Sequence, residues 1–146
     1  MIDDIRQRFA EYTKDTLQEV LGIEFLEVDN DHIVARMPVN NTTKQPFGVL
    51  HGGATVALAE TVASMGTWLG IDHQKQTAMG LEINANHLRP VRSGFVTAEA
   101  KPIHRGRKTW VWDIRVTDDD GKLTAISRCT VAVVTRAETA ASANPE

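Results

Sequence analysis

From Ala54 to Leu69 the chain holds a single ionisable side chain, Glu60, among small and apolar residues. That run predicts a helix from about Gly52 to Gly70. Being apolar nearly all round, it is expected to be buried on most faces. It is too short for a comfortable membrane span, and a carboxylate sits near its middle. The alternative is a core helix, which needs a sheet to pack on. With 146 residues, 42% apolar and 24% charged, the chain is one soluble domain large enough to supply that sheet.

The flanking segments read as follows. Ile2, Ile5, Phe9 and Tyr12 recur at helical spacing and Leu17, Val20 and Leu21 continue the face, predicting one or two helices before Gly22. Ile23 to Val28 and His32 to Val39 predict a hairpin across Asp29-Asn30-Asp31. Asn40 to Leu50 is a loop broken by Pro46 and Gly48. After the helix come four candidate strands: Thr77 to Leu88, Gly94 to His104, Lys108 to Asp118 and Lys122 to Val134. Asp118-Asp119-Asp120-Gly121 is a hairpin turn, and Arg105-Gly106-Arg107 turns the pair before it. Consecutive strands at hairpin spacing predict an antiparallel sheet under a buried helix, an α+β domain over residues 1–136. The small, polar segment 137–146 is expected to be a disordered tail.

Several classes are disfavoured. A net charge of −3 argues against a general nucleic-acid binder. Cys129 is the lone cysteine and lies in an apolar run, so it reads as a buried core thiol. The acidic start Met1-Ile2-Asp3-Asp4 has no apolar secretory region, which makes a cytoplasmic location the expectation. No His pair has zinc-type spacing, so no metal is expected, and no cofactor. No Gly-x-Ser-x-Gly is present, which disfavours a serine hydrolase. His32 and His73 read as surface residues.

Glu60 has two readings: a structural carboxylate paired in the core, or a functional group in a site. His51-Gly52-Gly53 opens the same helix, and a helix N-terminus presents free N–H donors able to hold an oxyanion. A Gly-Gly pair can equally be a simple turn. The Gln45 amide adds a donor beside the helix mouth. Together these suit acyl transfer. Gly52 and Glu60 lie about 12 Å apart along one helix at ~1.5 Å per residue, too far to share one carbonyl. A two-fold dimer, with Gly52 and Gln45 of one subunit facing Glu60 of the other, removes the difficulty.

The stretch Gln45-Pro-Phe-Gly-Val-Leu-His-Gly-Gly-Ala54, then Leu58-Ala59-Glu60 and Gly80-Leu-Glu-Ile-Asn-Ala-Asn-His-Leu-Arg-Pro90, resembles the hotdog-fold acyl-CoA thioesterases. The likeness runs from about Gly22 to Val134. It is to the branch of the Arthrobacter-type 4-hydroxybenzoyl-CoA thioesterases, with the 1,4-dihydroxy-2-naphthoyl-CoA hydrolases and the enterobactin proofreading thioesterases most similar. The resemblance implies a long helix wrapped by a curved antiparallel sheet, dimers, and commonly homotetramers. It implies that Glu60 is the catalytic carboxylate, as nucleophile or as base. Gly52 N–H and the Gln45 side chain are the donors to the thioester oxygen, and His51 supports them. Ser64 matches a polar residue of the acyl pocket and lies four residues after Glu60, on the same helix face. A small residue in a tight helix contact is its plainer reading.

Gly80, the run His87-Leu88-Arg89-Pro90 and the turn His104-Arg105-Gly106-Arg107-Lys108-Thr109 match segments that hold coenzyme A. From Asn84 to Lys108 the cations Arg89, Arg92, Lys101, Arg105, Arg107 and Lys108 face one acid, Glu99. Arg and Lys complement phosphates, although a strand edge guarded by cations would look the same. His87 also has a structural reading. Met65 follows Ser64 and could adapt the pocket to several acyl groups. The implied activity is hydrolysis of an aromatic or similar acyl-CoA, with acyl-carrier protein an alternative thioester source. A hotdog dehydratase and a non-catalytic acyl-CoA sensor are the competing readings.

Overall fold

A computed structural model describes residues 2–137. The expected tail lies outside them, apart from Ala137. Helices α1 (Ile2–Thr13) and α2 (Leu17–Leu21) come first. Gly22 closes α2 at φ 71°, the left-handed conformation of a helix C-cap. Strands β1 (Glu24–Val28) and β2 (Ile33–Pro38) precede helix α3 (Gly52–Leu69). Then follow β3 (Gln76–His87), β4 (Phe95–Arg105), β5 (Thr109–Thr117) and β6 (Leu123–Thr135).

The strands form one antiparallel sheet in the order β1-β2-β4-β5-β6-β3. The expected hairpins β1–β2, β4–β5 and β5–β6 are present. The simple reading that consecutive strands are neighbours fails for β3. It crosses to the far edge and pairs with β6, from Gln76 opposite Thr135 to His87 opposite Ala125. Burial explains the placement. β2, β5 and β4 as far as Ala100 bury every second residue and take the interior. No residue of β3 is fully buried, which suits an edge.

The core lies between the inner face of the sheet and one side of α3. Ile33, Met37, Val96, Trp112, Ile114, Val116 and Val131 meet Leu58 and Val62, all with no exposed surface. The helix is less enclosed than its apolarity suggests. Ala57, Glu60, Thr61 and Ser64 form a half-exposed side in the single chain.

Two tryptophans of β5 set how closely α3 approaches. The Trp112 ring lies directly beneath Gly66, where a Cβ would overlap it, and Trp110 lies beneath Gly70 in the same way. Trp112 Nε1–H donates to Thr67 Oγ1 at 2.9 Å, and that hydroxyl donates to Ala63 O at 3.0 Å. The buried indole N–H is thereby satisfied. Gly66→Ala should gain ~0.5–1 kcal/mol of helix propensity but lose more, about 1–3 kcal/mol, to overpacking. A net loss of stability in urea titration, with altered Trp fluorescence, is the expected result.

Cys129 is fully buried opposite Ile83. Burial first, and then the nearby carboxylates of Glu60 and Glu82, push its thiol up to about 12. At pH 8 the folded protein should therefore leave a disulfide thiol reagent unreacted, and urea should release one equivalent.

Candidate active site

His51 is the N-cap of α3. Its backbone is extended (φ −68°, ψ 129°), and its Nδ1 accepts the Gly53 N–H at 2.8 Å. His51 O accepts from Ala54 and Thr55 N–H. The cap thus consumes one of the two glycine donors. The Gly52 N–H is left without a partner among the described residues, at the positive end of the helix dipole. Both glycines are fixed by neighbouring rings rather than by a turn. A Cβ on Gly53 would lie 2.9 Å from the His51 ring, and one on Gly52 would lie 3.0 Å from His87 Nε2.

Gln45 sits in a tight loop. Gly48 at φ 84° turns the chain so that Gln45 N–H donates to Val49 O and Gly48 N–H donates to Gln45 O. Its Oε1 accepts the Phe47 N–H. The side-chain NH2 is then free to donate. Gln45, Gly52, His87, Leu88, Arg89 and Pro90 share one cavity of about 360 Å³, together with Thr55. Six of the residues singled out from sequence are therefore brought together.

Glu60 lies elsewhere. It is half-buried, and its carboxylate rests on Gly80 of β3, where any Cβ would overlap Oε1. A bulge follows at once, since Gly80 pairs with Val131 and Glu82 with Thr130. Gly80 thus cradles Glu60 and does not line the Arg89 cavity. Glu60 and Ser64 line a second pocket of about 300 Å³ with Ala57, Thr61 and residues of α2. In one chain the carboxylate and the two donors face different pockets.

The turn at His104 to Thr109 is also remote from Arg89. Thr109 pairs with Ala132, one residue from Gly80's partner Val131, whereas His87 pairs with Ala125. Seven ladder positions at ~3.3 Å each put the two ends roughly 23 Å apart. The basic patch read from sequence is split in the same way. Arg105 pairs with Asp31, donates to Asn30 O and lies 4.9 Å over the Trp110 ring. Lys101 pairs with Glu99 at 3.1 Å. Arg89, Arg92, Arg107 and Lys108 make no ion pair among the described residues. Gly106 is required by His104 and Thr109 O, which a Cβ would meet at 2.6 and 2.7 Å.

Two histidines read as plain surface residues have partners. His32 lies between Glu27 (3.1 Å) and Glu99 (2.9 Å), and Lys101 and His32 together hold the Glu99 carboxyl below its ordinary value. His73 stacks on Trp68 at 3.8 Å. Met65 is buried, beside Ser64 but in a smaller adjoining pocket. Sequence reasoning missed Thr55, Thr61 and Gln18 as lining residues. Thr61 follows Glu60 directly, but nothing local marks Gln18, which the fold brings in from α2. Among the described residues no cluster of three or more His, Cys, Asp or Glu could hold a metal, and no helix is long and apolar enough to cross a membrane.

A carboxylate at one pocket wall and an uncapped N–H at a helix mouth are groups whose chemistry can serve acyl transfer. Residues 47–125 match the family model described as the thioesterase superfamily. The chain belongs to that family. The crystal structure of a thioesterase variant from Pseudomonas aeruginosa superposes with a TM-score of 0.87 at 48% identity, covering 89% of this chain and 94% of that one. A thioesterase from Haemophilus influenzae gives 0.85 at 46%, covering 89% and 90%. A relative from Listeria monocytogenes named 1,4-dihydroxy-2-naphthoyl-CoA hydrolase is 49% identical over 117 residues, 80% of this chain and 94% of its own length. This thioesterase has the hotdog fold, α3 packed on one six-stranded sheet, and is a thioester hydrolase.

Gly80 carries a clear consequence. Gly80→Ala drives a methyl group into the Glu60 carboxylate while leaving a strand residue that tolerates alanine. With Glu60 read as the catalytic carboxylate the sequence suggests, a displacement near 1 Å costs about 10²-fold. Thioester hydrolysis should fall by that order while the melting temperature changes little.

Proposed function

We propose that this thioesterase hydrolyses an aromatic acyl-CoA in the cytoplasm, with 1,4-dihydroxy-2-naphthoyl-CoA the first substrate to assay. We propose further that it works as a two-fold dimer, and as a tetramer of two dimers, of a single domain spanning residues 1–136. The observation that carries the reading is the separation of Glu60 from Gly52 and Gln45 along an unpaired edge strand.

That edge supplies the geometry. β3 leaves its outer row of N–H and C=O groups open and exposes Met79 and Leu81, the profile of a strand made for pairing. Antiparallel pairing of two β3 strands about an axis at Asn84 sets the Gly80–Leu81 bulge opposite His87 of the partner subunit. Glu60 rests on Gly80, and Gly52 abuts His87. Each carboxylate then faces the donors of the other subunit, and the two halves of the coenzyme A segment meet as well. Arg89, Arg92, Arg107 and Lys108 are the free cations for its phosphates.

In the reaction the thioester C=O accepts hydrogen bonds from Gly52 N–H and Gln45 NH2, which stabilise the oxyanion. Glu60 either attacks the carbonyl carbon or takes a proton from an attacking water. The tetrahedral intermediate collapses with cleavage of C–S. The thiolate leaves with a proton, and water supplies the oxygen of the free acid. His51 acts by holding the helix mouth in place.

Free-thiol release from a panel of acyl-CoAs and one acyl-carrier protein tests this. Glu60→Gln should lower kcat by about 10³-fold with an unchanged fold. Equal rates for both proteins remove Glu60 from the mechanism. No release from any thioester favours a binding protein.

A further inference from the structure

We infer that Gln18 is a specificity-determining residue: with Thr61 and Ser64 it forms a polar collar between two chambers of one acyl channel. The inference rests on the reading above that the Glu60 pocket receives the acyl group.

The outer chamber is the pocket of about 300 Å³ that holds Glu60. Behind it lies a chamber of about 190 Å³, walled by Phe9, Phe25, Met65, Trp68 and Ala78. Three residues line both: Gln18, Thr61 and Ser64. They form the boundary, and all three are polar. Thr61 and Ser64 come from the side of α3 that the sheet leaves uncovered, and Gln18 faces them from α2.

Gln18 is held to that task by its backbone. Within α2 only Gln18 and Leu21 turn away from solvent. Gln18 O accepts the Ile23 N–H at 3.1 Å, which ties the turn of α2 to the start of β1. Its side-chain amide, by contrast, has no partner among the described residues, and neither has the Ser64 hydroxyl. The Thr61 hydroxyl donates to Ala57 O at 2.7 Å and keeps its lone pairs. The collar thus offers one free amide, with donor and acceptor, and one free hydroxyl.

Beyond the collar the surroundings change character. Phe9 packs on Phe25 with centroids 5.2 Å apart and meets Trp68 edge-on at 6.4 Å. Such a wall suits a ring or a short alkyl end. The two chambers together select acyl groups with a hydroxyl or similar polar substituent beside the first ring and an apolar extension beyond it. A one-ring acyl group fills the outer chamber alone.

The test compares kcat/KM for benzoyl-CoA, 2-naphthoyl-CoA and 1,4-dihydroxy-2-naphthoyl-CoA. Gln18→Leu removes the polar partner at similar volume. The ratio of the hydroxylated to the plain naphthoyl thioester should fall about tenfold, expressed mainly in KM. Ala78→Leu intrudes into the inner chamber without touching the collar. It should lower the ratio of 2-naphthoyl to benzoyl turnover by a similar factor, and it carries the test if Gln18→Leu does not fold. An active wild type whose ratios stay within twofold in both variants overturns the inference alone. A wild type that cleaves no acyl-CoA overturns the reading of the Glu60 pocket and this inference with it.

Discussion

The seating of α3 on Trp112 governs everything else in this protein. A helix can lie this near a β-strand only where it has no Cβ, and Gly66 and Gly70 supply the gaps over Trp112 and Trp110. The hydrogen bond from the indole to Thr67 then fixes rotation about the helix axis. With that rotation set, the opposite side of the helix, bearing Glu60 and Ser64, is directed away from the sheet interior. The carboxylate lies on the boundary of the core, half-buried against Gly80.

The same placement sets the limits of a single chain. One end of β3 holds the carboxylate on Gly80, and the other end holds His87 against the mouth of α3. Rise per residue along a strand and along a helix differ by about twofold, but neither element can fold back on itself. No rotamer change bridges the two pockets. Close glycine contacts recur around both pockets: Gly52 under His87, Gly53 under His51, Gly80 under Glu60. At each one a backbone has been brought as near to a polar side chain as atomic radii permit.

Much of this was legible in the sequence. The element order followed from periodicity, because strands buried on one face alternate and a core helix does not. Glu60 stood out as the single ionisable group in its helix, and the donor-bearing loop followed from its turn residues. The place of β3 was not legible, since a strand with no fully buried residue gives too weak an alternation to say which neighbour it takes. The split of the basic patch within one chain was not legible either, because a tally along the chain cannot tell two ends of a sheet apart, or see that Asp31 claims Arg105 across a hairpin. Gln18 stayed hidden for a related reason. Its surroundings come from α3, far along the chain, and α2 itself carries no local mark of a pocket.

The pairing of β3 with β6 bears on how the polypeptide matures during synthesis. Gly80 has Val131 as its ladder partner, so the cradle of the carboxylate depends on the last strand of the sheet in chain order. Until that strand leaves the ribosome, β5 is the sheet's open margin and its two tryptophans lack a neighbour on one side. Pairings of such long sequence separation form late. A nascent chain stalled before Leu123 would thus offer chaperones a sticky aromatic border and lack the cradle of Glu60, and emergence of β6 would both close that border and assemble the cradle.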